Sequence, residues 1–200
     1  MLKNLYGNVM AVVDVETTGT VFGYHEIIQI AILPLDQHLE QSKEHRFFYM
    51  EMAPKHPERQ SVGAKSKHGM DAYKMSEECV SQEQAADLLD KWFLNLNLPV
   101  GKRLVPLAHN WAFERGFLTH WLGIDQFDSM WHMHPRDTMT LAASLNDVYV
   151  WQGMNPPFHA LSLTGMCKRF GIPLENAHNA LADCVATAEL YKAIVRSFMS

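Results

Sequence analysis

The 200-residue chain has few cysteines, no long apolar run and no surplus of positive charge. Its three cysteines, Cys79, Cys167 and Cys184, are scattered and odd in number and form no CxxC pair. That spacing excludes a disulfide framework and a cysteine-rich zinc site, and it suits thiols in a reducing compartment. The longest apolar runs are strand-sized and broken by acids, too short to cross a bilayer. The first residues, Met1 to Gly7, lack the apolar centre of a signal peptide. A cytoplasmic location without membrane contact is therefore expected. Lys and Arg total 17 against 22 Asp and Glu, a net charge of −5. Such a balance argues against holding nucleic acid by bulk positive charge. With 48% hydrophobic and 20% charged residues the chain can build a real core, and residues 1–200 are expected to form one domain.

Three apolar stretches open the sequence: Asn8 to Val15, Glu26 to Leu35 and Arg46 to Met52. Their short connections predict an antiparallel meander. Residues 53–81 carry Pro, Gly, Lys and Ser without strong periodicity, so a long loop is predicted, with one short helix near Met70 to Met75. Gln82 to Leu96 is amphipathic, with Ala85, Leu88, Leu89, Trp92 and Phe93 on one stripe and Ser81 as N-cap. Arg103 to Ala108 predicts a fourth strand. Asn110 is expected to cap a helix reaching Leu122. Ser129 to Arg136 predicts a short fifth strand. Helices are predicted over Asp137 to Leu145, Ser162 to Phe170 and Leu181 to Phe198. The order gives an α/β layer fold with one mixed sheet.

Asp14 and Glu16 stand two apart at the end of the first strand, so their side chains share a face. Like charges side by side repel unless a cation lies between them. Acids are common where strands meet solvent, but here the preceding residues are uniformly apolar, and an unpaired carboxylate pair on such a strand is costly. His178 and Asp183 lie five apart around the start of the last helix. A helix N-terminus favours a carboxylate there, and a histidine beside a metal-bound water suits a general base. Glu114 falls one turn after Asn110. Alone it would be an ordinary surface glutamate; the combination gives it meaning.

That combination resembles the DEDD superfamily of 3′→5′ exonucleases, in its DnaQ-like branch with a catalytic histidine. The DxETTG motif appears as Asp14-Val15-Glu16-Thr17-Thr18-Gly19. The HNxxFDxxFL motif appears as His109-Asn110-Trp111-Ala112-Phe113-Glu114-Arg115-Gly116-Phe117-Leu118. The third motif, H-x4-D before an Ala-rich helix, runs from His178 to Asp183. Arg136-Asp137-Thr138 and Leu161 to Ile172 match intervening family segments. The resemblance implies a ribonuclease H-like three-layer α/β/α fold with a central mixed five-stranded sheet. It implies two Mg²⁺ (or Mn²⁺) ions held by Asp14, Glu16, Asp183 and Glu114, with His178 taking the proton of the attacking water. Nucleoside 5′-monophosphates would leave from the 3′ end of single-stranded DNA (or RNA), with DNA weakly favoured. Thr17, Thr18, Gly19, His109, Asn110, Trp111 and Phe113 would line the terminal nucleotide. An enzyme of this kind needs no basic surface, since metals hold the few nucleotides it binds.

Two departures from the family pattern matter. Glu114 stands where the family has Asp; one added methylene moves a carboxylate by about 1 Å, which can cost roughly 10²-fold in rate. A binding module with weak or lost cleavage is the alternative this allows. Trp111 replaces a small residue and would either stack on a base or fill space under the long loop. A separate metal site at His132, His134 and Asp137 is a further alternative, because HxH on a strand puts both imidazoles on one face. Any polymerase or replication partner would bind in trans, and the resemblance allows a homodimer.

Overall fold

In the computed structural model, which describes residues 5–197, five strands form one sheet in the order β3-β2-β1-β4-β5. They are β1 (Val9–Thr17), β2 (Ile27–Pro34), β3 (Phe48–Glu51), β4 (Leu104–Ala108) and β5 (Arg136–Asp137). The first three form the expected antiparallel meander, while β4 and β5 join parallel to β1 and to β4. β1 therefore sits at the centre, buried on both faces, which explains its near-continuous Val-rich run.

Alternation along β1 sends Ala11, Val13 and Val15 to one layer and Met10 and Val12 to the other. The first face carries α3 (Gln82–Asn95), α4 (Trp111–Leu122) and α5 (Ile124–Met130). The second carries α8 (Ala180–Ser197), with α6 (Thr138–Trp151) and α7 (Leu163–Phe170) packed outside it. This is the ribonuclease H-like three-layer arrangement. Asp14 and Glu16, in phase with Met10 and Val12, belong to the α8 side. The β1–β2 ladder shifts register between Glu16 and Thr17. Such a bulge re-aims side chains and is common beside functional sites. No helix among the described residues is long and apolar enough to cross a membrane.

Four expectations about local structure need correction. Residues 53–81 are not a loop with one helix: they hold a 3₁₀ turn (Pro57–Arg59), α1 (Val62–His68) and α2 (Ala72–Glu78). Ser61 caps α1 by accepting from the Ala64 N–H, Asp71 caps α2, and Gly69 at φ 74° ends α1. Seven-residue helices with almost no buried side chains carry little periodicity, so only their caps announce them. Ser129 and Met130 belong to α5, and the edge strand is reduced to Arg136–Asp137. α6 runs past Leu145 to Trp151, and Gly153, at φ 75°, closes the turn beyond it.

The fourth correction concerns Asn110. It occupies the N-cap position of α4 but lies at φ 81° and makes no side-chain cap bond. The cap comes from Asp137 instead. Its carboxylate accepts from the N–H groups of Asn110 (3.3 Å) and Trp111 (2.8 Å), and also from Met139 and Thr140 of its own helix. One side chain thus caps two helices and ties the ends of β4 and β5 together. Asp137→Ala is expected to lose both caps, about 2 kcal/mol or more of stability at roughly 1 kcal/mol each. Chemical denaturation would measure it, and a loss within about 0.5 kcal/mol, as for ordinary surface substitutions, would refute the double cap.

Candidate active site

The end of β1, the first turn of α4 and the start of α8 meet over the sheet. Ligand atoms of Glu16, His178 and Asp183 all lie within 4.8 Å of one another. His178 takes a left-handed conformation at φ 68° just before the helix, and its N–H donates to Asp183 Oδ2 at 3.2 Å. That bond holds the exposed imidazole against the carboxylate pair. Asp14 and Glu114 fall outside that group of ligand atoms and are linked to it by charge alone, Asp14 with Asp183 and Glu16, and Glu114 with Asp14 and Glu16.

All four carboxyls are pushed up from their ordinary values. For Asp14 the cause is burial first, then the charges of Asp183 and Glu16. Burial and Asp183 raise Glu16 to about 7, against a downward pull from Lys67. Glu114, only 3% exposed, is raised by burial and then by Asp14. Burial raises Asp183 too, partly offset by the His178 N–H and imidazole. Even the buried Cys184 thiol behind them is pushed up, by burial and by three of these carboxylates. Glu114 Oε2 and Asp183 Oδ1 are buried with no hydrogen-bond partner. Buried carboxylate oxygens without donors, in a group of mutually raised acids, are the chemistry that suits a divalent cation.

The pH consequence has a definite sign. A carboxyl raised in the folded state keeps protons that the unfolded chain has already lost, so stability falls as pH climbs from the ordinary glutamate value towards about 7. Protein stripped with a chelator is expected to melt higher at about pH 5.5 than at about pH 8. Mg²⁺ or Mn²⁺ should raise the midpoint mainly at the higher pH, by about 2–4 °C per kcal/mol relieved. A chelated protein that melts higher at the alkaline value would refute this account.

The residues expected around the terminal nucleotide have mixed settings. Thr18 is fully buried, and its N–H and hydroxyl both bind the Glu26 backbone. The Thr17 hydroxyl donates to the Gly19 carbonyl at 2.6 Å. A Cβ on Gly19 would lie 2.3 Å from His25 Nε2, so only glycine fits there. Phe113 is half-buried and packs on Phe22 and Phe117. His109 Nδ1 meets the Thr138 hydroxyl at 2.8 Å, and burial pushes the imidazole down. Trp111, 8% exposed, packs against Phe127 and Trp131. It fills space beside α5, not beneath residues 53–81. His132 and His134 lie close together, but all four backbone N–H groups around Asp137 occupy its carboxylate. Among the described residues the converging ligand cluster is the Glu16 one, so the alternative histidine site does not form.

Sequence reasoning missed Lys67 and His68. Both sit at the end of α1, in the segment read as loop. His68 donates from Nε2 to the Thr17 carbonyl at 3.2 Å and accepts from Met70 N–H at Nδ1. Together with the Ser61 N–H on the Thr18 carbonyl, it fastens α1 to the Thr17–Gly19 turn. No periodic signal marks these residues; only three-dimensional contact does.

Comparison with known proteins agrees with this geometry. E. coli exonuclease I in complex with a dT13 oligonucleotide is similar at a TM-score of 0.74 and 20% identity, over 96% of this chain and 42% of that one. Cell-death related nuclease 4 is similar at a TM-score of 0.72 and 14% identity, over 95% and 64%. A 3′-exonuclease that recognises the 3′ end of a histone mRNA stem-loop follows at 0.68 and 15%, over 96% and 65%. The chain thus spans less than two thirds of each. No curated protein sequence matches it. A sequence model of the RNase_T exonuclease family matches residues 11–191, nearly the whole described chain. The chain belongs to this exonuclease family, in its DnaQ-like branch.

Proposed function

We propose that the chain is a divalent-metal-dependent 3′→5′ exonuclease that shortens single-stranded DNA and releases nucleoside 5′-monophosphates. The observation that carries this reading is the convergence of Glu16, His178 and Asp183 beside the buried Asp14 and Glu114, with two buried carboxylate oxygens left unpartnered. Asp14, Glu16, Asp183 and Glu114 would hold two Mg²⁺ or Mn²⁺ ions, which supply Lewis-acid activation of water and neutralise charge on the phosphate. A zinc-bound form of an E. coli exonuclease I complex with single-stranded DNA supports divalent binding in this fold.

The chain's own groups do the rest. His178, held by its N–H bond to Asp183, is exposed at the rim and accepts the proton of the attacking water at a ring nitrogen. The braced turn Thr17–Gly19 presents backbone beside Glu16 for the terminal nucleotide. Phe22, half-exposed on Phe113 and Phe117, offers an apolar edge near the same turn. The preference for DNA follows the exonuclease I complexes with dT13 and dA16.

One gel tests the reading. Single-stranded DNA, duplex DNA and RNA, each 5′-labelled, are incubated with wild type and Asp14→Ala in Mg²⁺ or Mn²⁺. A ladder of shortened single-stranded DNA with wild type alone is expected. Faster shortening of RNA would replace DNA as the substrate. No cleavage above Asp14→Ala would sink the enzyme and leave a binding module.

A further inference from the structure

Gln29 lies in β2, 3% exposed, directly opposite Glu16 in the antiparallel ladder. Residues opposite each other in such a ladder project to one face. The Gln29 Oε1 accepts from the Ala180 N–H at 2.7 Å, the first residue of α8. Its Nε2 donates to the Tyr49 hydroxyl at 2.9 Å and to Glu51 Oε1 at 3.1 Å. Tyr49 donates in turn to Glu51 at 2.8 Å, so the amide cannot flip without losing acceptors on one side and the Ala180 donor on the other. Ala180 stands two residues after His178 and three before Asp183. The neighbouring cap is separate: Asn179 accepts from Ala182 N–H through its own side chain.

We infer that Gln29 is a positioning residue that sets the spacing between the strand-borne Glu16 and the helix-borne Asp183 and His178. This rests on reading their cluster as a metal centre. The two halves of the cluster come from elements far apart in sequence, and their carboxylates repel. A single buried amide joins the β2 ladder position facing Glu16 to the first N–H of α8. Cys184 and the core packing of α8 hold the helix on the sheet further along, so what the amide sets is the position of its first turn, which carries Asp183 and follows His178. Orienting residues behind metal ligands typically change affinity or activity by roughly 10–100-fold.

The test uses the full chain and Mn²⁺ alone, by calorimetric titration, followed by steady-state kinetics on single-stranded DNA. Gln29→Met keeps the volume and removes the amide; Tyr49→Phe removes one acceptor that orients it. Ile194→Val, a core change far along α8, serves as the stability control. Gln29→Met is expected to weaken Mn²⁺ binding roughly 10–100-fold and to lower kcat with KM for the oligonucleotide unchanged. Tyr49→Phe should shift both in the same direction by a smaller factor, and Ile194→Val should lower the melting temperature while leaving Mn²⁺ affinity intact. Mn²⁺ affinity equal to wild type in Gln29→Met overturns the inference, whatever its melting temperature. If Gln29→Met does not fold, unchanged Mn²⁺ affinity in Tyr49→Phe overturns it. Absence of cleavage by wild type would count against the nuclease reading alone, because the Mn²⁺ titration does not depend on it.

Discussion

Asp14→Ala is expected to abolish Mg²⁺-dependent shortening of a 5′-labelled oligonucleotide, by at least about 10³-fold, and at the same time to raise the melting temperature of the metal-free protein. The first effect follows from the proposed role of Asp14 in holding metal, where loss of a ligand removes several kcal/mol of charge stabilisation, at about 1.4 kcal/mol per tenfold in rate. The second follows from the repulsion that raises this carboxyl: Asp14 is pushed up by burial and by Asp183 and Glu16, and it in turn raises Glu114. Removing it relieves its neighbours. Opposite signs in activity and stability are the mark of a site strained for function. A variant that loses activity and also melts lower without metal would mean that Asp14 supports the fold, and its loss of activity would no longer count for a metal role of Asp14.

Glu114→Asp is the second large effect, a fall in kcat of roughly 10²-fold, the scale of a misplacement of about 1 Å. Glu114 projects from the first turn of a helix fixed by Asp137, is almost fully buried, and feels Asp14 more strongly than any other charge. The longer side chain is therefore coupled to Asp14 as it stands. Restoring the family's aspartate shortens it and opens a gap in a packed site. Single-turnover kinetics with wild type and Glu114→Asp decide it; a faster variant would show that the native glutamate is a handicap.

Much of this was legible in the chain. A Val-rich run ending in Asp14-Val15-Glu16-Thr17-Thr18-Gly19 states both a central strand and a carboxylate pair on one face, because period-two alternation needs no tertiary information. His178 and Asp183 by themselves read as a surface histidine and a helix-capping aspartate, and only the combination of motifs marks them. Other features depend on contacts that no local pattern encodes. Asp137 caps α4 from 26 or 27 residues away, so Asn110 looked like the cap because Asn often is one. α1 and α2 bury almost nothing, so their periodicity is silent. Trp111 packs sideways onto Phe127 and Trp131, a direction set by α5, which was itself read partly as strand. Gln29 carries no local signal at all, since its partner lies 151 residues away.

That separation has a kinetic side. The tether from Gln29 to Ala180 closes 151 residues, and the contact of Cys184 Sγ with the Ala31 carbonyl closes 153. Contacts of this range carry the largest loop-closure entropy and form late in folding. The meander, by contrast, pairs neighbouring segments and can assemble early. Asp14 and Glu16, together on β1, thus meet the charge of Asp183 only when α8 docks, and the full acid cluster is expected only in molecules that have closed this long loop.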